Sequence, residues 1–280
     1  MPIITCNLMG GLGNQLFEIF TTISYAIEYG QQFRFANIET IGFGNMTIRK
    51  TFWNSFFSRL KPFTMAEFPQ MMLLKEQSFE YNKLPVNDFL HQNIIIYGYF
   101  QSYKYFEKYY RQICRIIDLE MMQINLLQKL DISNTLDNTV SMHFRLGDYK
   151  LHPTIYPILN KAYYNLSLKL ITEKHVIKTV MYFCEEEDAI EVFKTIQYLS
   201  KQFKEIEFVR GNNTLEDWEQ MLLMSCCHHN IIANSTFSWW GAYFNNWEDK
   251  MVCYPAKWFG PDLPHNTKDL FPENWHKIEC

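Results

Sequence analysis

Apolar and polar positions follow two rhythms along this chain, and the change from one to the other marks most of its elements. Pro2–Leu8 is apolar, too short for a helix, and broken by Gly10-Gly11-Leu12-Gly13. From Asn14 to about Tyr29 apolar residues recur at helical spacing, and Gly30 is placed to cap the helix. A strand, a glycine turn and a helix are therefore expected. Residues 40–90 sustain no period and read as short helices and loops, rich in Phe, Met and Pro. Asn93–Tyr99 reads as a buried strand.

The second half is more regular. Thr139–Phe144, Thr179–Cys184, Ile206–Val209, Asn230–Ala233 and Met251–Tyr254 read as strands, with the last as the final strand of the chain. Between them Ala162–Lys174, Glu186–Phe203, Leu215–Cys226 and a segment from Thr236 to Phe244 read as helices. Glu185–Asp188 is read as a solvated helix start, where acids suit the helix dipole. Such alternation predicts an α/β fold with a parallel sheet covered on both faces. In these sheets ligands gather at the carboxyl ends of strands. The polar stretch Asp131–Asn138 divides the halves.

Length and composition narrow the class. The 280 residues allow one large or two modest domains, at roughly 100–200 residues each. A chain 48% apolar and 20% charged is globular, not disordered, collagenous or coiled coil. Its aromatic share is high, with 23 Phe, 17 Tyr and 7 Trp, and such rings either fill cores or stack on sugars and bases. A net charge of −4 gives no field to recruit nucleic acid or an anionic membrane. Seven cysteines without repeating spacing read as reduced thiols. The start lacks a secretory pattern, and no apolar run is long enough to span a membrane, so a cytoplasmic protein is expected. Four N-x-S/T patterns, at Asn45, Asn165, Asn212 and Asn234, are read as chance matches.

Three motifs carry chemistry. Gly10-Gly11-Leu12-Gly13-Asn14-Gln15 joins a strand to a helix, either as a tight turn or as a ligand loop with helix-terminal N–H groups. Leu16 stands where a dinucleotide fingerprint needs its third glycine, and no Lys-Ser/Thr follows for a phosphate loop. His143-Phe144-Arg145-Leu146-Gly147-Asp148 ends a strand, with His143 and Arg145 on one face by alternation. Arg145 there either grips a phosphate bidentately or pairs with Asp148. Asn234-Ser235-Thr236-Phe237-Ser238 opens a helix, its hydroxyls serving as caps or as phosphate ligands. Trp239 and Trp240 follow; two adjacent rings are not expected to share one core stripe, yet both read as packing residues more than as a stacking platform. Cys226-Cys227-His228-His229 has zinc-type ligands, but four consecutive residues cannot close a tetrahedron, so no metal is expected.

Taken in order, GGLGNQLF from Gly10, the His-x-Arg-x-Gly-Asp of residues 143–148 and IIANSTFSWWGAYF from Ile231 resemble the bacterial-type α-1,2-fucosyltransferases, inverting enzymes that use GDP-fucose. The likeness spans residues 8–260, with none of it in 40–90. It implies a GT-B fold, two facing Rossmann-like domains with an interdomain cleft. Residues 1–132 would form the acceptor side, 133–262 the GDP-fucose-binding domain, and 263–280 a tail crossing back to the first domain.

The resemblance makes Arg145 the group that contacts the GDP diphosphate. It implies that Asn234, Ser235, Thr236, Phe237 and Ser238 hold the same diphosphate, and that Gly11, Gly13, Asn14 and Gln15 line the cleft. No metal and no cofactor are implied, GDP-fucose being a substrate and a glycan the acceptor. His143 and Asp148 are the candidates for general base, with Asp148 favoured as a residue positioning Arg145. Asp217 or Glu219 would read guanine. The family usually has a second Arg where this chain has Leu146. Transfer to another hydroxyl or acceptor, and a non-catalytic sugar- or nucleotide-binding role, are the alternatives.

Overall fold

The structure is a computed structural model describing residues 1–42, 47–85, 91–132 and 136–280. Asn45 and the middle of the 131–138 stretch lie outside the described residues. The chain forms two compact units, Met1–Met121 with Asn266–Pro272 and Met122–His265 with Glu273–Cys280.

The first unit begins with β1 (Ile3–Cys6), α1 (Leu12–Glu28), β2 (Gln32–Phe33), β3 (Phe35–Ala36), β4 (Thr40–Ile41) and β5 (Arg49–Lys50). It continues with β6 (Thr64–Met65), β7 (Met72–Lys75), β8 (Ile94–Tyr97) and α2 (Tyr110–Ile117). Its main sheet has the order β2-β1-β8-β7, all parallel, with Ile4 opposite Ile94 and Cys6 opposite Ile96. The glycine turn between β1 and α1 is where the sequence places it.

Helix α1 ends as expected at Gly30, whose φ of +63° is readily adopted by glycine. The Gln31 N–H reaches the Ala26 carbonyl at 2.8 Å and the Gly30 N–H reaches that of Ile27 at 3.3 Å. These are the two bonds of a Schellman cap. The helix is more than amphipathic: fourteen of its seventeen residues are buried. Aromatic packing supplies the second cover, with Phe106 set 5.9 Å from Phe17 and 5.6 Å from Phe20, centroid to centroid.

Residues 40–90 contain strands β5–β7 as well as the 3₁₀ turn Ser58–Phe63. Trp53, Phe56, Phe57 and Leu60 are buried there. Phe35–Trp53 and Phe56–Phe57 pack with centroids 5.4 and 5.0 Å apart. Much of the aromatic surplus in this stretch is thus core.

Helix α3 (Leu119–Lys129) contains the division between the units. The second unit then runs β9 (Thr139–His143), α4 (Lys161–Thr172), β10 (Thr179–Phe183), α5 (Ala189–Gln202) and β11 (Glu207–Arg210). It ends with α6 (Asp217–Cys226), β12 (His229–Ile231), α7 (Thr236–Tyr243), β13 (Val252–Pro255) and β14 (His276–Ile278). Strand β14 corrects the expectation that the chain ends its strands at Met251–Tyr254. It is three residues long and pairs with β13 through Cys253 and His276, too short to show a period.

All six strands are parallel, in the order β11-β10-β9-β12-β13-β14. Numbered from β9, that is the 3-2-1-4-5-6 order of a Rossmann sheet. Every residue of β9 is buried, as a central parallel strand requires. Asn160 caps α4, its side chain accepting from the Ala162 N–H at 2.8 Å.

Candidate functional site

In the Rossmann order, β9 and β12 are neighbours whose onward connections leave in opposite directions. Beyond their carboxyl ends lies the position where open parallel sheets bind ligands. Residues 144–148 follow β9 directly and residues 232–238 follow β12. Two of the three sequence motifs therefore meet at one topological switch point.

Arg145 is the cation of this edge. Its Nη2 donates to Asp148 Oδ1 at 2.6 Å and its Nη1 to Glu185 Oε1. The guanidinium also lies over the Tyr149 ring, 5.1 Å from its centroid. Arg145 keeps 21% of its side chain exposed, and each carboxylate keeps 50%. The site thus offers an oriented, solvent-accessible guanidinium.

His143 behaves differently from Arg145. It is buried, and β9 ends with it, so Arg145 lies beyond the strand and not on its alternating face. The His143 ring lies 5.7 Å from that of Phe237, and its Nδ1 has no hydrogen-bond partner among the described residues. Burial, reinforced by Arg145, pushes its pKa down to about 3. A neutral imidazole of such low basicity is poorly matched to general-base work near pH 7.

The loop after β9 is held by residues from elsewhere. Gly147, at φ +32°, donates its N–H to the buried Asp188 at 2.7 Å, and Lys150 pairs with the other Asp188 oxygen at 2.8 Å. Tyr149 stacks on Tyr156 with centroids 4.5 Å apart. Its hydroxyl donates to the Asn234 carbonyl at 2.9 Å, and burial raises its pKa to about 12. The acidic run 185–188 is exposed at Glu185, Glu186 and Glu187, as expected of a solvated helix start, but three of its four acids also hold partners and Asp188 is buried. Glu185 holds Arg145, Glu186 pairs with Arg210 at 2.9 Å, and Asp188 anchors Gly147. Sequence reasoning missed these roles because the partners are distant in the chain, 40 and 41 residues away for Glu185 and Asp188.

The residues of the third motif divide by position. Asn234 is buried, and its amide donates to the carbonyls of Pro157 and Trp258 at 3.0 and 3.2 Å. Ser235 caps α7 by accepting from the Phe237 N–H at 3.3 Å. Ser238 is buried and turns its hydroxyl back onto the Ala233 and Ser235 carbonyls. Thr236 and Phe237 are half-buried. Trp239 and Trp240 are both fully buried, as packing residues, although two adjacent rings were not expected to share one core stripe. Helix α7 is covered on more than one side: Trp239 lies 5.4 Å from Trp275, centroid to centroid, and Gly241 lies against α6, where a Cβ on it would come within 3.0 Å of Met224.

In the first unit the glycine loop lies beyond the carboxyl end of β1. Gly10 has φ +68°, and a Cβ there would sit 2.4 Å from Asn14 Nδ2. Gly11 precedes α1 with extended backbone and Gly13 lies in its first turn. Gln15 is fully buried and donates to the Gly10 and Lys50 carbonyls at 3.2 and 3.0 Å, so it braces the loop. Asn14 accepts from Gln101 Nε2 at 3.2 Å. Two acids missed in the sequence support the same edge. Glu18 accepts from the Met9 N–H at 2.9 Å, and Glu76 from the N–H groups of Tyr99 and Phe100. Burial raises the pKa of both. The signal for Glu18 was present: it is the only charge of α1 before Glu28.

Of the two acids weighed for guanine, Glu219 is engaged by Lys129 at 2.6 Å and by the Glu216 N–H at 3.0 Å, whereas Asp217 is exposed. Leu146 is buried in the core of the second unit. His175, from a different loop, brings a third imidazole within 4.8 Å of His228 and His229. His229 Nδ1 accepts from the Met251 N–H at 3.0 Å, which puts the ring proton on Nε2 and leaves two rings able to ligate.

The sequence profile described as glycosyl transferase family 11 matches residues 3–279. An *Escherichia coli* protein described as an alpha-1,2-colitosyltransferase is 27% identical over 302 aligned residues, covering all of both chains. The *Escherichia coli* O-antigen biosynthesis glycosyltransferase WbnK is 28% identical over 190 residues, 64% of this chain and 59% of its own. *E. coli* ADP-heptose lipopolysaccharide heptosyltransferase II superposes with a TM-score of 0.52 at 12% identity, covering 99% of this chain and 90% of the other, a likeness of fold. The fold is of the GT-B class, as expected. The chain belongs to glycosyl transferase family 11 and is a glycosyltransferase. Among the described residues no helix is long and apolar enough to cross a membrane.

Proposed function

We propose that this glycosyltransferase moves L-fucose from GDP-β-L-fucose to a galactoside-type hydroxyl with inversion, forming an α-1,2 linkage without a metal. The observation that carries the reading is Arg145, an oriented and partly exposed guanidinium at the switch point of a Rossmann sheet. As the glycosidic bond breaks, negative charge develops on the β-phosphate of departing GDP. Arg145 opposes that charge more strongly in the transition state than in the bound substrate. Asp148 orients the guanidinium, and Thr236 with the first N–H groups of α7 offers further donors to the diphosphate. In this account the fixed cation and dipoles supply what a divalent ion supplies elsewhere.

A second reading keeps the mechanism and changes the sugar. The full-length relative is named for colitose, the 3-deoxy counterpart of fucose, which supports a colitosyl donor as the alternative. Seven free cysteines suit a reducing, cytoplasmic setting. The test is incubation of the purified chain with GDP-fucose or GDP-colitose and a panel of galactosides, with the product linkage read by NMR. An α-1,2-fucosyl product supports the first reading and a colitosyl product the second. Donor left intact with every acceptor contradicts both.

A further inference from the structure

We propose that Glu185 is a resident counter-ion of Arg145, and that the donor diphosphate takes its place by displacing it. This rests on the reading of Arg145 as the diphosphate ligand. Both Nη groups of the guanidinium are occupied, one by Asp148 and one by Glu185. Two carboxylates on one cation leave the spot net negative, where a diphosphate must be received. One of them has to leave before the fork can face phosphate oxygens.

The connections around each acid say which one leaves. Asp148 is three residues from Arg145, and its neighbour Gly147 is pinned by the buried Asp188. Glu185 stands on another element, two residues beyond the end of β10, and its side chain, like that of Asp148, is half in solvent. Its turn does not depend on it. Asp188 keeps its bonds to the Gly147 N–H and Lys150, and Glu186 keeps Arg210 and Asn213, both at 2.9 Å. The Glu185 side chain can therefore rotate into water while the backbone of the turn stays fixed. When GDP departs, Glu185 pairs again with Arg145, so the exchange of one anion for another favours product release.

The test compares GDP binding by titration calorimetry to the full chain, to Glu185→Gln and Glu185→Ala, and to Glu187→Gln as a control of equal charge in the same run. Removing the competing carboxylate and its repulsion of phosphate should tighten GDP binding by about tenfold in both Glu185 variants. Glu187→Gln should bind as the wild type does. Guanosine, lacking phosphates, should bind wild type and Glu185→Gln alike. GDP binding that is present but unchanged or weakened in the Glu185 variants overturns the counter-ion role alone. No GDP binding by the wild type overturns the donor reading, and this proposal with it.

Discussion

The Tyr149 hydroxyl donates to the Asn234 carbonyl at 2.9 Å, tying the loop that leaves β9 to the loop that leaves β12. One bond thereby sets the spacing between Arg145 and the start of α7. Tyr149→Phe removes it and keeps the ring stacked on Tyr156. The expected loss is about 1 kcal/mol, or roughly 2–4 °C in Tm, with weaker GDP binding. Thermal unfolding and GDP titration check this; an unchanged Tm and GDP affinity would contradict the tie.

Leu146 stands where the family usually has arginine, and it packs with Phe144, Leu168 and Val180 in one buried cluster. Leu146→Arg should therefore cost about 3 kcal/mol or more, from burial of an unpaired charge. It should not strengthen GDP binding. Urea unfolding with GDP titration reads both, and a stable variant with tighter GDP binding contradicts the account.

The pH dependence of stability has two opposing contributions. His143, with its pKa pushed down to about 3, stays neutral in the fold while the unfolded chain takes up its proton below about 6.5. Its contribution is complete above pH 6.5 and is lost as pH falls toward 3, by about 1.4 kcal/mol per pH unit. The stability of His143→Gln should fall less steeply between pH 6.5 and 5. An equal slope would show that His143 is protonated in the folded chain.

Glu18 works in the other direction. Its raised pKa means that the fold holds a proton which the unfolded chain gives up above about 4.5, so it costs stability as pH rises. Glu18→Gln keeps an oxygen for the Met9 N–H. It should gain stability relative to the wild type at pH 8, with the difference shrinking toward pH 4.5. Chemical denaturation at both pH values decides, and a variant less stable at pH 8 contradicts the assignment.

Metal independence has a direct check. On the roles proposed for Arg145 and the start of α7, EDTA should leave turnover unchanged. Loss of turnover restored by Mn²⁺ would contradict it.

The parts of this molecule written in local sequence were legible in it. The βα alternation, the glycine turn after β1, the cap at Gly30 and the position of Arg145 beyond a strand all follow from periodicity and residue type. What sequence left open depends on distant partners. Ser238 and Gln15 have the polarity of ligand groups, but each spends its donors on backbone. The acids 185–188 read as a solvated run, and Glu185, Glu186 and Glu187 are exposed, but their partners appear only once β10 lies beside β9. Trp239 and Trp240 read as packing residues, but adjacent positions share a core only because α7 is covered on more than one face. Strand β7 alternates half-buried and exposed positions at a sheet edge, where its apolar Met-Leu-Leu run gives no clear period.

The central claim is that Arg145 stabilises the departing diphosphate. Turnover of GDP-fucose with a galactoside acceptor by Arg145→Ala, set against the wild type, tests it most directly. A fall of roughly 10²–10³ in kcat with the fold intact is the predicted result. Turnover and GDP affinity equal to those of the wild type would contradict it.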